Sequence, residues 1–424
     1  MRMLKWNRGL RLLGAAVVGV LALARVAAAS ADVTTDQPGS IIVWPKVVWD
    51  GTRDTIIQLA NTGNPMVHAH CFYINAAPAS PCLPPSSQNP PQWLETDFDL
   101  WLTRQQPTHW VVSAGRSTNP DDSIDTAGFD PGLIPPVPLC FQGELKCIET
   151  DDSGAPTTGN KLKGEATLRN RTGDVSKYNA IAFLGNPGLT SGDIGTDLQL
   201  TLTDSNPGGE YSACPDRLLF NHYAYGAPDL ALAIGPHNIG TCTSACVGGA
   251  TPGAECISHR DCGKDTSGKA GICQNNCGVN TNLTLVPCQE NLEDQIPGRV
   301  TVQFQIFNEF EQPFSASTTV SCWLDAPLNT LGTGLQTPTN NPFTFNVLGT
   351  VGAFTRIHPN PGNGGVIGIA EETRRDSDTV GAGATAAFNL NIEGNRFDGQ
   401  TDEQGNPVTD SVTDQIILPG DSAP

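Results

Sequence analysis

Basic residues are scarce in this chain. Its 24 Lys and Arg stand against 43 Asp and Glu, a formal net charge of −19. That scarcity argues against partners that need a positive footprint: nucleic acid, which is held by neutralising phosphates, and anionic membrane surfaces. Long apolar runs are lacking as well. Beyond the first 31 residues none approaches the roughly 20 apolar residues of a spanning helix. No long stretch shows apolar residues at helical spacing, which argues against an α-helical bundle. Catalytic and cofactor signatures are missing too. There is no G-x-S-x-G nucleophile elbow, no phosphate loop or dinucleotide fingerprint, and no C-x-x-C-H haem attachment.

What the N-terminus does contain is the three-part pattern of an export signal. Arg2, Lys5, Arg8 and Arg11 precede an apolar run from Leu12 to Ala24, and Ala29-Ser30-Ala31 supplies small residues for cleavage after Ala31. Arg25 interrupts the run well short of a membrane span. This leader holds five of the basic residues and no acidic one, which leaves 19 basic against 43 acidic, or −24, in the processed chain. A secreted or periplasmic protein is expected, with no membrane span after cleavage.

The remaining roughly 390 residues exceed one ordinary domain. Gly (45) and Pro (33) punctuate many short segments, which favours strands and turns. Ile41 to Trp49 reads as a strand interrupted by Pro45, hence an edge or a bulge. Thr55 to Asn61 and Val67 to Ile74 read as a hairpin across Thr62-Gly63-Asn64-Pro65. A similar unit returns at Arg299 to Asn308 and Thr318 to Leu324. Phe98 to Leu102 with Trp110 to Val112 is echoed by Phe343 to Leu348 with Ala353 to Ile357, which suggests an internal duplication. Asp197 to Leu202 and Ala384 to Ile392 alternate strictly, as half-buried strands do. The expected fold class is all-β, with two immunoglobulin-like β-sandwich domains at 36–235 and 295–395. A cysteine-rich module at 240–290 separates them, and an acidic polar tail at 396–424 follows, in which Gln415 to Leu418 adds a short strand.

Seven of the 13 cysteines fall in the module: Cys242, Cys246, Cys256, Cys262, Cys273, Cys277 and Cys288. Few large apolar residues accompany them, so the segment depends on crosslinks rather than a core. Zinc would call for C-x2-C knuckles, and the close spacings here are x3. Outside the module, Cys71 with Cys82 and Cys140 with Cys147 are the expected local pairs. Cys214 and Cys322 have no evident partner, and the odd total leaves one thiol over. The run CVGGATPGAECISHRDCGKDTSGKAGIC, within about 242–288, resembles the small disulfide-knit repeats of secreted proteins. The resemblance implies an extracellular module used for binding or spacing, and no functional residue.

Metal ligation has two sequence candidates. His68 and His70 alternate along a strand, so both face one side, a spacing suited to copper or zinc. Asp121, Asp122 and Asp125 share one loop, and Asp398 and Asp402 punctuate a Gly- and Asn-rich stretch. Such carboxylates suit calcium, although neither run has EF-hand spacing. No cofactor is assigned, and calcium is kept open. No catalytic residue is assigned. The tryptophans, Trp44, Trp49, Trp93, Trp101, Trp110 and Trp323, suit sandwich cores better than a carbohydrate groove. The leading expectation is an exported, disulfide-stabilised envelope or extracellular protein that binds an extracellular ligand or an envelope protein, or serves a structural role. The alternatives are a secreted hydrolase acting on polysaccharide and a calcium- or copper-binding accessory protein.

Overall fold

A computed structural model of the chain describes residues 33–419, less 79, 81, 83–88, 90, 119–128, 172, 187–197, 204–209, 216, 229–243, 248, 255–261, 270, 276–277, 333–340, 361–362, 376–382 and 393–413. The leader lies outside the described residues. The first strands are β1 (Val33–Thr34), β2 (Ile41–Trp49), β3 (Arg53–Asn61), β4 (Val67–Asn75), β5 (Leu94–Leu102), β6 (Pro107–Val111), β7 (Phe141–Thr150), β8 (Leu162–Asn170), β9 (Val175–Asn179) and β10 (Ile181–Phe183). Then come β11 (Gln199–Leu202), β12 (Leu218–Tyr223), β13 (Ala227–Pro228), β14 (Ser244–Val247), β15 (Ile272–Asn275), β16 (Gly278–Pro287) and β17 (Glu290–Asn291). The last are β18 (Arg299–Asn308), β19 (Pro313–Ser321), β20 (Leu324–Pro327), β21 (Gly352–Pro359), β22 (Val366–Arg375), β23 (Gly383–Asn389), β24 (Asn391–Ile392) and β25 (Asp414–Ile417). One short helix, α1 (Phe345–Leu348), precedes β21.

Sheet A runs β1-β10-β2-β7-β4-β5, and sheet B β6-β3-β8-β9. Sheet C is β11-β25-β17, sheet D is β13-β16-β22-β23 with β20 on β16, and sheet E is β19-β18-β21-β12-β24. β14 and β15 form a separate ribbon. The all-β expectation stands, at 58% strand and 3% helix among the described residues, but the arrangement is a five-bladed β-propeller. The two immunoglobulin-like sandwiches are therefore corrected. The blades draw on distant parts of the chain. β12 pairs with β21, and β11 pairs with β25 from the C-terminal stretch. Alternation in a sequence says which face of a strand is buried, not which strand lies beside it.

The first expected hairpin is likewise corrected. β3 pairs with β6 and β8, whereas β4 pairs with β5 and β7, so the chain changes sheets at residues 62–66. Buried Asn61 fixes this arch. Its Nδ2 donates to the carbonyls of Pro65, Leu102 and Thr103, and its Oδ1 accepts from Gly63 N. β18 and β19, by contrast, do form a hairpin. The second echoed pair also diverges: β5 and β6 lie in different sheets, and Phe345–Leu348 is helical. The structure thus gives the apparent duplication no common architecture.

Three apolar cores join the blades. One lies between sheets A and B, a second joins sheet A to sheets C and D, and a third fills the space between sheets D and E. In the first, Trp44 packs so closely on β8 that a Cβ on Gly164 would sit 2.2 Å from its indole. Pro45 lies in an interior strand, at a bulge where the β2–β7 register shifts between Trp44 and Val47. The bulge's polar groups are satisfied from outside the ladder. Tyr178 Oη accepts from Lys46 N at 3.2 Å and donates to Lys46 O at 2.5 Å, while Trp323 Nε1 donates to Pro45 O at 2.8 Å. The Lys46 side chain reaches toward sheet D, meeting Asp325 and Glu371 at 2.8 Å each. Arg53 joins Glu371 at 3.0 Å.

Candidate functional site

A cleft of about 560 Å³ lies at one end of sheets D and E. Its lining comes from the last residues of β12, the end of β18, the start of β21 and the far end of β22. β22 explains the polar wall. Val366 and Ala370 belong to the apolar core, and two and four residues further on the same face carries Glu372 and Arg374. The intervening Glu371 points to the other side, into the Lys46–Arg53 network.

The two neighbouring glutamates titrate in opposite directions. Burial drives both upward. At Glu371 the Lys46 and Arg53 cations outweigh burial and hold the carboxyl low. At Glu372 only Arg374 opposes burial, and the carboxyl stays above its ordinary range. Arg374 stands 3.9 Å from Glu372, with its guanidinium carbon 5.1 Å from the centre of the Tyr223 ring.

His222 lines the cleft but is buried, at 3% exposure. Its Nδ1 lies 3.2 Å from Tyr223 O and its Nε2 2.8 Å from Thr355 Oγ1. A carbonyl only accepts, so Nδ1 carries the proton and the hydroxyl donates to Nε2, which describes a neutral imidazole. Burial pushes its pKa down to about 4. On β18 and β21, Phe307 and Phe354 face each other in register, ring centroids 6.4 Å apart at 29°. At the β18–β19 turn, Asn308 accepts from Phe310 N and Gln312 N and donates to Leu348 O and Gln312 Oε1. This fixes the turn that carries Glu309, which accepts from Gly352 N at 3.2 Å, and Phe310, which is 73% exposed.

With this geometry in place, a scan against protein-family models finds no match, and a search of curated proteins finds none either. The site must be read from its own residues. The lining contains no Ser, Thr, Cys, Lys or Asp, and its one hydroxyl is that of Tyr223. It offers aromatic surface, two carboxylates, a guanidinium, an imidazole and two primary amides.

The sequence candidates lie elsewhere. His68 and His70 do share one face of β4. His68 stacks on Trp101 (4.1 Å, 1°), with Nε2 2.7 Å from Asp99 Oδ1 and Nδ1 3.0 Å from Asp151 O. Both partners only accept, which favours the imidazolium. Burial lowers the His68 pKa, but these two hydrogen bonds and the nearby carboxylates outweigh it, and the net shift is upward. His70 Nε2 lies 3.3 Å from Asp97 Oδ2. Among the described residues no group of three or more His, Cys, Asp or Glu is placed to hold a metal ion. Asp121, Asp122, Asp125, Asp398 and Asp402 lie outside the described residues, so the calcium expectation falls there too.

Among the described residues the cysteine pairs are Cys71–Cys147, Cys82–Cys140, Cys214–Cys288 and Cys246–Cys262. The expected local pairs are corrected. Cys71 and Cys147 lie directly opposite each other on β4 and β7, which the spacing in the chain hides. Cys273 sits across the ribbon from Cys246, and Cys242, Cys256 and Cys277 lie outside the described residues. Cys322 is a buried free thiol, its pKa raised by burial and by Glu144.

No reading of the sequence pointed to the cleft. One signal was present. In β18 the inward positions are Val300, Val302, Phe304 and Ile306, and in β21 Ala353, Thr355 and Ile357. Phe307 and Phe354 are aromatic rings at the outward phase.

Proposed function

We propose that this protein is an exported, disulfide-stapled binding protein of the periplasm or extracellular space, with its ligand seated in the cleft at the end of sheets D and E. Among the described residues four cysteine pairs suit an oxidising compartment, and no helix is long and apolar enough to cross a membrane. The cleft carries the reading. Its volume falls within the roughly 300–1,000 Å³ of small-molecule sites, and it combines apolar surface with a few convergent polar groups.

One observation favours a hydrolase as the second reading. Glu372 holds its proton to higher pH than an ordinary carboxyl and shares the cleft with Glu309, the kind of pair that acts as acid and base in glycoside cleavage.

Both readings are open to test on protein recovered from an exporting host. N-terminal sequencing is expected to begin at Asp32. A thermal-shift screen of small molecules is expected to give a ligand whose stabilisation Phe354→Ala abolishes. A ligand that stabilises both proteins equally places binding elsewhere. Turnover of a bound glycoside that Glu372→Gln stops replaces the binding protein with the hydrolase.

A further inference from the structure

We infer that the cleft takes a neutral saccharide, with a sugar ring laid on the Phe307–Phe354 surface and its hydroxyls met by Asn221, Glu309, Glu372 and Arg374. This inference rests on the cleft being the ligand site. Three features narrow the chemistry.

The first is the aromatic surface. Phe307 and Phe354 are half-buried neighbours on adjacent strands, their rings inclined by only 29°. Together they form an apolar shelf in the cleft lining, and Phe310, at the adjoining turn, is 73% exposed. Asn221 pairs with Phe354 across β12 and β21, so its exposed amide borders the same shelf. The C–H face of a pyranose is flat and apolar, whereas its rim is polar, and the shelf with its amide edge matches both.

The second is the type of polar group. Amide, carboxylate and guanidinium are planar, and each presents two polar atoms side by side. Adjacent sugar hydroxyls both donate and accept, so they can satisfy the acceptors of Glu309 and Glu372 and the donors of Arg374 within one ligand.

The third is charge. The face of Tyr223, where a cationic ligand would stack, already holds the chain's own Arg374 guanidinium. An anionic ligand would meet Glu309 and Glu372, in a molecule that carries −19 overall. A neutral, polyhydroxylated ligand avoids both conflicts.

The test is calorimetric titration of the processed chain with cello-, xylo-, manno-, malto- and chito-oligosaccharides, with spermidine and oligogalacturonate as charged comparators. At least one neutral oligosaccharide is expected to bind. Phe354→Ala and Asn221→Ala should each weaken it, the former by about tenfold, with no change in unfolding midpoint. Absence of binding by every neutral oligosaccharide overturns the inference, as does binding that both variants leave intact. If spermidine or oligogalacturonate binds instead and Phe354→Ala removes that binding, the saccharide class is overturned and the cleft stands. If Phe354→Ala alters the binding of no probe, both fall.

Discussion

His222 and Glu95 show how one physical cause, burial, gives opposite pH responses. Burial penalises the charged form, which is the protonated form of histidine and the deprotonated form of glutamate. His222 is therefore depressed to about 4. Unfolded, it titrates near 6.5, so between those values the unfolded chain binds more protons and stability is lost as pH falls. For a fully buried group the shift corresponds to on the order of 3 kcal/mol. Glu95 is raised to about 7, chiefly by burial, with repulsion from Asp97 adding to it. Here the folded chain holds its proton longer, so stability is lost as pH rises from the ordinary carboxyl range toward 7. Urea unfolding across pH 4 to 8 checks both. His222→Gln should flatten the acid flank, and Glu95→Gln the flank approaching neutrality. A variant whose profile parallels the parent's would show that its group does not titrate between the folded and unfolded states.

At the scale of elements, the β2 bulge shows what a sequence discloses and what it hides. Pro45 signals an interruption, and the alternation around it signals a strand; both are present. Nothing local says that Lys46, in an apolar run, will be fully buried against Asp325 and Glu371, residues far along the chain. Lys46→Met leaves Glu371 with Arg53 and Asp325 with the Thr284 hydroxyl, and should cost about 3–5 kcal/mol in denaturant unfolding; a loss below 1 kcal/mol would show that water or rearrangement compensates. The same limit governs the rest. Strict alternation disclosed β11 and β23, and β-rich runs between turn residues disclosed β3, β4, β18, β19 and β25. They could not say that β3 and β4 part company at Asn61, whose decisive hydrogen bonds reach Leu102 and Thr103. Phe345–Leu348 reads as strand by composition, yet it forms one helical turn closed by Gly349 in the left-handed region at φ 70°. The cleft was hidden for a like reason, since its polar residues come from three strands and a turn and share no motif.

At the scale of the molecule, the disulfides divide into two kinds by what surrounds them. Cys71–Cys147 and Cys214–Cys288 close separations of 76 and 74 residues, and all four cysteines lie in the blade cores. Crosslinks of that span restrict the unfolded chain by about 4.5 kcal/mol each. Cys246–Cys262 closes 16 residues, worth about 3 kcal/mol on the same scale. Its two cysteines form a buried cluster by themselves, apart from the three blade cores. The consequences of removal should differ accordingly. Cys71→Ala with Cys147→Ala should lower global stability by about 4 kcal/mol, because the unfolded state of the whole sheet gains freedom. Cys246→Ala with Cys262→Ala should leave the global midpoint near the parent's and instead speed amide exchange in Ser244–Val247 and Ile272–Asn275, since among the described residues the ribbon's disulfide is this one and it pairs with no blade strand. If the second pair lowers the global midpoint as much as the first, the ribbon is coupled to the blades through contacts beyond its own crosslink, and the cysteine-rich stretch is part of the propeller's cooperative unit rather than an appendage to it.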